Sequence, residues 1–577
     1  MQKVGAILLD TRSIQKYVFA SNKLKTNAGA SYLVDSIFSD LMENHVLDRA
    51  KMPPAHWRDA DSVQLFDPQN AECEYEIVYI GGGNMFILVN AKEGQSDDDI
   101  KAACKDIVKK WSRLMLEHIP GVKTGAAVDV LELKETEPEA LSKELNAQLS
   151  EKMYKQLKEN QNTVLPQVDL PYTGLTLECD ISGKTANVID YTSGSRRWIS
   201  AEVEAKIDAF KFAQDKLNEQ YKDILNSDGQ SYEFASEFDK LGYKDGESYI
   251  CVIHIDGNNM GLKFGSCEGL QERKALSIKV ANKVNAAFSE LLKSIVKEYP
   301  SYEKYLDTEN LKDKEHDKKI LPIRPIIIGG DDVTFVCPGR LGITYAKRYI
   351  KAANDGNLLS DEQYKKMCDK NEGVSMSQQM SCCGGIAIVP AKYPFFRAYE
   401  LAEQLCSSAK KKSRQTDNSL IDFAILHGDM YSSIENLRRD QYEGVEGGLH
   451  YGPYNIVVNE AAKTDKTDKK KQADDKTHID DLLSLMQKLK AKVPENKIKK
   501  LREVLTQDEH SIIRYLELSD RLKNILAEET NGADDTAKAF WQKKNGEDEE
   551  RQKTRYIDAI EIMDFMPKTY DSSKEAE

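Results

Sequence analysis

What this sequence lacks removes several common classes of protein. It holds no run of 18 apolar residues, so it encodes no helical membrane span. Its opening, Met1-Gln2-Lys3-Val4-Gly5-Ala6-Ile7-Leu8-Leu9-Asp10, has too short an apolar run for a secretory signal and no small-residue cleavage site. That stretch reads as a first strand. The ten cysteines form no Cys-x-x-Cys pair and several lie inside apolar runs, which argues against a disulfide framework or a zinc site and fits a reduced, cytoplasmic protein. There is no Gly-x-x-x-x-Gly-Lys-Ser/Thr loop, no Gly-x-Ser-x-Gly elbow and no His-Glu-x-x-His pair. Cations are in deficit, with 81 Lys and Arg against 95 Asp and Glu, for a net charge of −14. A broad nonspecific nucleic-acid surface is thereby disfavoured, because neutralising phosphates needs clustered Lys and Arg.

What is present is an acid-tipped hairpin in a chain of 577 residues, long enough for three or four domains. In Arg324-Pro325-Ile326-Ile327-Ile328-Gly329-Gly330-Asp331-Asp332-Val333-Thr334-Phe335-Val336, two β-branched apolar runs flank a Gly-Gly-Asp-Asp turn. Gly329 and Gly330 allow the turn and leave room for a ligand to approach. Upstream, the apolar run Tyr249 to Ile255 ends in Asp256-Gly257-Asn258-Asn259-Met260-Gly261. A Gly/Asp tetrapeptide alone is an ordinary turn. Joined to Asp256 and to Lys410-Lys411-Lys412, it reads as a nucleotide site, because adjacent carboxylates repel unless a divalent cation lies between them.

The chemistry expected is phosphoryl transfer assisted by Mg²⁺ or Mn²⁺. Asp256 and Asp331 would bridge the metals, the Gly257 carbonyl would add a ligand, and Asp332 would hold the metal on the attacking hydroxyl. Lys410 would reach the β and γ phosphates of a triphosphate, although lysines at a helix C-terminus also simply complement its dipole. Asn258 and Asn259 are candidates for hydrogen bonds to ribose or base, and equally are turn formers.

The chain divides into a first α/β unit over 1–130, a mainly helical region over 131–245, a second α/β unit over 246–455, a charged linker over 456–478 and a helical region over 479–577. In the first unit the expected elements are a strand at Val4 to Leu9, a helix at Ser31 to Met42, a hairpin around Gly81-Gly82-Gly83-Asn84, a helix at Ile100 to His118 and a strand at Gly125 to Val130. The second unit repeats the plan, with helices at Arg273 to Lys297, Ile343 to Ala353 and Phe395 to Lys412, and strands at Cys382 to Val389 and Leu420 to Leu426. The fold class is α+β, with two ferredoxin-like βαββαβ palms, a helical inter-palm region and a C-terminal helical region. The two units read as an internal repeat: 73 residues separate Asp10 from Gly83 and 75 separate Asp256 from Asp331. One copy keeps three carboxylates, while the other has Gly83 and Asn84 in place of two of them. The second copy should hold metal, and the first should be structural or bind nucleotide passively. His316-Asp317 sits in a charged stretch and reads as solvated loop; the tail from Ser572 reads as disordered.

These residues resemble the large polymerase-like subunit of type III CRISPR effector complexes. The resemblance is carried by Asp10-Thr11-Arg12-Ser13-Ile14-Gln15-Lys16-Tyr17, Gly29-Ala30-Ser31-Tyr32-Leu33, Asp256 to Gly261, Arg324 to Asp332, Gly384 to Pro394 and Ala402 to Lys410, and spans roughly residues 1–455. It implies ATP as substrate, cyclic or linear oligoadenylate second messengers as product, and a role in antiviral defence. It also implies effector subunits and guide and target RNA as partners. A homodimer is compatible with the sequence, and no membrane partner is expected. Position by position, Asp256, Asp331 and Asp332 match the metal-binding acids and Lys410 the phosphate-contacting lysine. The family's N-terminal His-Asp nuclease domain has no counterpart here, so DNA cleavage is not expected. Two other readings use the same residues: a nucleotide-binding scaffold without turnover, and adenylyl transfer to a different small-molecule acceptor.

Overall fold

The computed structural model describes residues 2–567 apart from 53–72, 93, 136, 160–173, 192–193, 228, 243–247, 305, 308–310, 314–317, 372–374, 415, 429, 460–476, 530–539 and 542–551. His316-Asp317, the charged stretch Lys463 to Asp475 and the tail from Ser572 lie outside the described residues. Among the described residues no helix is long and apolar enough to cross a membrane. All ten cysteines are free thiols.

The first sheet has four antiparallel strands in the order Tyr75–Gly81, Asn84–Asn90, Gln2–Arg12, Lys123–Leu133. Its chain order gives the βαββαβ arrangement. Side chains alternate along a strand, and both faces of Gln2–Arg12 are covered. Val4, Ala6 and Leu8 share one core with Leu141, Leu145, Leu149, Met153 and Leu157. Ile7 and Leu9 belong to the main core with Cys104, Ile107 and Trp111 of helix Asp97–His118. Burial on both faces explains why this strand reads as an unbroken apolar run. Helix Asp97–His118 starts a turn before the expected Ile100, because Ser96 and Asp99 form a reciprocal capping box. The helix expected over Ser31 to Met42 is instead Leu24–Ser36 followed by π-helical turns over Ile37–Val46. Its apolar stripe of Leu33, Ile37 and Leu41 is buried.

The second sheet has six strands in the order Arg324–Gly329, Asp332–Pro338, Tyr249–Gly257, Cys382–Pro390, Ser419–Ile425, Tyr454–Val457. Its first four repeat the order of the first sheet. Ser419–Ile425 then joins parallel to Cys382–Pro390 through the crossover helix Phe395–Ser413. That helix buries Phe395, Ala398, Tyr399, Ala402, Leu405, Cys406 and Ala409 at helical spacing. A fully buried leucine such as Leu405 contributes on the order of 2 kcal/mol. The packing is close: a side chain at Gly385 would lie 1.8 Å from the Ala402 carbonyl oxygen, so only glycine lets the helix sit this low on the strand. Helix Leu270–Glu298 covers the other side, with Leu276, Val280, Val284, Ala287, Leu291 and Ile295 inward, and packs against helix Gly342–Asn354.

Between the sheets lie helix Ala201–Gln220, N-capped by Ser200, and a short hairpin of Val188–Asp190 with Arg197–Ile199. Helix Pro138–Gln148, at the start of the expected inter-palm region, contributes Leu141 and Leu145 to the core of the first sheet. The C-terminal region holds helices Ile479–Lys492, Glu495–Val504, Glu509–Glu517, Asp520–Glu529 and Tyr556–Ile562. Among the elements that the sequence pattern does not reveal are edge strand Tyr454–Val457, helix Asp361–Lys370, and a small sheet of Tyr232–Phe234, Lys318–Leu321 and Lys312–Asp313.

Direct contacts tie these parts together. Phe19 stacks on Tyr399 at 3.7 Å between centroids, and the Phe395 amide donates to Asn22 Oδ1 at 2.8 Å. At the far edge, His450 sits buried between Asp422 (2.9 Å) and Asp558 (2.8 Å), linking the second sheet to helix Tyr556–Ile562. Burial lowers the affinity of this imidazole for a proton, but the two carboxylates outweigh it and hold its pKa up at about 9.

Candidate active site at the tip of the second sheet

Asp256 ends the central strand, and the hairpin partner places Asp332 directly opposite it, with Thr334 opposite His254. Gly329 pairs with Asp332, leaving Gly330 and Asp331 as the two-residue turn. Gly330 takes φ 60°, the left-handed region glycine tolerates. Gly329 and Gly330 are exposed, and an added side chain at either would meet nothing within 4 Å, so this side of the tip is open. Gly257 is buried and paired with Cys382 on the next strand. A Cβ there would come within 3.0 Å of the Asp331 carboxylate, so the glycine after Asp256 is what lets Asp331 fold against the strand end.

The electrostatics are strained in one direction. Partial burial, and then the charge of Asp256, push the Asp331 carboxyl up to about 6. Burial, Asp256 and Asp331 together push Asp332 up to about 9. The cation facing them is Lys410, near the C-terminus of helix Phe395–Ser413, whose ammonium is ion-paired with Asp256. Burial pulls this lysine down, but Asp256 outweighs it and holds it above its ordinary value. Oxygen donors in this number suit Mg²⁺ or Mn²⁺, and a divalent cation would relieve the repulsion that raises both carboxyls, so the residues fit the expected ion. Asp256 and Asp332 are joined in this by His254: one ligand atom from each lies within 4.8 Å of the others.

The two asparagines are engaged elsewhere. Asn258 is buried, its amide donating to Ser413 Oγ at 3.0 Å and the Asn418 carbonyl at 3.1 Å. Asn259 takes φ 52° and donates to Asp417 Oδ1 at 2.9 Å. Asp417 also accepts from Ser381 Oγ (2.7 Å) and the Ser377 amide (2.8 Å), and faces the fully buried Lys263 at 3.8 Å. The amides of both asparagines therefore brace the loop after Asp256 instead of reaching into the open tip.

Sequence reasoning did not single out His254, Lys263 or Asp417. His254 was within reach, since a residue two before Asp256 on a strand shares its face. Lys263 and Asp417 are 154 positions apart in the chain, and no local pattern joins them.

Residues 249–420 match the family model described as Cas10/Cmr2, second palm domain. Over this segment, under a third of the chain, the protein is similar to a Cas10/Cmr2 second palm. The segment contains Asp256, Asp331, Asp332, Lys410, His254, Lys263 and Asp417. Among solved structures, the chain is similar to a Csm1-Csm4 cassette in complex with cA4, at 12% identity over 98% of this chain and 70% of that chain, TM-score 0.44. It is also similar to the cassette in complex with cA3, at 11% identity over 98% and 69%, TM-score 0.46, and to the apo cassette, at 11% over 98% and 70%, TM-score 0.43. No curated protein matches the chain.

Proposed function

We propose that the second-palm tip joins nucleotides: a ribose hydroxyl attacks the α-phosphate of ATP, pyrophosphate leaves, and the product is a cyclic or linear oligoadenylate signal used in CRISPR-linked antiviral defence. One observation carries this reading. Asp256, Asp331 and Asp332 gather at an open sheet tip with Lys410 as the cation beside them. The second-palm match over 249–420 supports placing the chain among subunits of a type III effector complex, working with partner subunits and with guide and target RNA.

Bound at the tip, Mg²⁺ or Mn²⁺ would neutralise triphosphate charge and make the attacking hydroxyl more acidic. Asp256, Asp331 and Asp332 are the residues that would hold it. Lys410 exchanges its carboxylate partner for the β and γ phosphates when ATP enters, since phosphate offers more charge to an ammonium than one carboxylate oxygen. The Asp417 cluster keeps the loop after Asp256 from shifting as charge arrives, so little reorganisation accompanies the reaction. The exposed Gly329-Gly330 edge is where the phosphates approach.

Labelled ATP, GTP, CTP and UTP, incubated with the full chain and Mg²⁺ or Mn²⁺ and resolved by chromatography and mass, test the proposal. A metal-dependent adenine oligonucleotide made by the wild type and lost in the Asp331→Asn, Asp332→Asn double variant is expected. Tight ATP binding without pyrophosphate release, even with partner subunits and target RNA added, would favour the scaffold.

A further inference from the structure

We infer that His254 supplies a nitrogen ligand to the cation held by Asp256 and Asp332, biasing this site toward Mn²⁺ over Mg²⁺. The inference rests on the reading of the tip as a cation site and names which ion it prefers.

Three observations converge. First, the strand register sets four side chains on one face as a ladder, with His254 across from Thr334 and Asp256 across from Asp332. A ring nitrogen of His254 and one carboxylate oxygen from each acid lie within 4.8 Å of one another. Octahedral coordination brings neighbouring ligand atoms to about 3 Å apart, so small side-chain adjustments close the set. Second, the ring is held in place: Nδ1 and Thr334 Oγ1 are hydrogen-bonded at 3.0 Å, and Tyr399 packs edge-on at 5.5 Å between centroids. Metal-ligating histidines are oriented in this way by a hydrogen bond at their other nitrogen, here leaving Nε2 as the ligand. Third, the Tyr399 hydroxyl is buried with no hydrogen-bond partner among the described residues, in a residue 3% exposed. Buried hydroxyls are normally paired, so an unpartnered one on the ring that packs against this imidazole leaves room for one more polar group.

Carboxylates alone distinguish the two ions poorly. An imidazole favours transition ions, because Mg²⁺ takes oxygen ligands and keeps its waters.

The test is pulsed electron paramagnetic resonance on the full-length protein loaded with one equivalent of Mn²⁺. A ¹⁴N modulation is expected in the wild type, replaced by the ¹⁵N pattern when only histidine is ¹⁵N-labelled, which needs no substitution in the core. His254→Gln should remove the modulation and weaken Mn²⁺ binding by about 10-fold or more. The same substitution should weaken Mg²⁺ binding by less than about 3-fold. Bound Mn²⁺ with oxygen ligands alone, or a modulation that persists in His254→Gln, would overturn the inference and leave the proposed function standing. Wild-type protein that takes up no Mn²⁺ would overturn both. A clear nitrogen signal in a protein that makes no product under any condition would support the inference while counting against the proposed reaction.

Discussion

At the tip of the first sheet Asp10 stands opposite Asn84, as Asp256 stands opposite Asp332 at the tip of the second. The strand pairing matches, but the charges do not. Asp10 is ion-paired with Arg12 on its own strand at 2.8 Å, and the Arg12 guanidinium also donates to the Leu157 carbonyl at 3.3 Å. The hairpin there turns through Gly82 and Gly83, both left-handed at φ 58° and 77°. In the second hairpin only Gly330 is left-handed, and Asp331 turns its carboxylate onto the strand end beside Gly257. One tip is thus neutralised by a built-in cation. The other carries three carboxylates against one lysine delivered from a crossover helix. A single architecture serves two ends: the first tip is settled without a ligand, and the second is left in need of positive charge.

The largest break in that comparison should come from removing acids at each tip in turn. Asp331→Asn, Asp332→Asn should lower nucleotidyl transfer by at least about 10³-fold, the scale of losing aligned charge at a phosphoryl centre. Asp10→Asn should change it by less than about 5-fold, since Asp10 is already neutralised by Arg12. Comparable losses from both would mean the first tip shares the chemistry. Next, Lys410→Ala should lower kcat/KM by about 10²-fold, read from initial rates across ATP concentrations. Lys412→Ala, at the last turn of the same helix, serves as the control for simple loss of helix-end charge.

A smaller and sharper effect concerns stability. A carboxyl with its folded pKa raised binds its proton more tightly in the folded state, so stability falls as pH rises from the unfolded pKa towards the folded one. For Asp332 that window runs from the ordinary carboxyl range up to about 9. Without divalent ions, the wild-type Tm should therefore decline across this window more steeply than that of Asp332→Asn. Near pH 8 the variant should melt about 2 °C higher, as measured by calorimetry. Adding Mn²⁺ should raise the wild-type Tm and that of Asp10→Asn, and should raise that of Asp332→Asn much less. A variant that is more stable yet inactive would separate lost chemistry from lost folding.

Much of this comparison was legible in the sequence. β-branched runs around glycine-rich turns gave both hairpins, and matched spacings from Asp10 and Asp256 gave the repeat. Apolar periodicity gave the long helices because each buries a continuous stripe. What stayed hidden depends on partners distant in the chain. Tyr454–Val457 is a strand only because Ser419–Ile425 offers it an edge. Asn258 and Asn259 carry the same amide whether it faces a ribose or a buried Asp417, and the sequence does not say which. Lys410 is one of three consecutive lysines that the sequence places at the end of one helix, while its contact with Asp256 follows from how closely Gly385 lets that helix approach.

The central claim is that chemistry resides at the second tip and not the first. Pyrophosphate release from ATP by the full chain, alone and with the proposed effector subunits and target RNA added, tests it most directly when wild type, Asp10→Asn and the Asp331→Asn, Asp332→Asn double variant are run side by side. Release by the first two and none by the third is the predicted result. Release that survives in the double variant, or vanishes in Asp10→Asn, would contradict it.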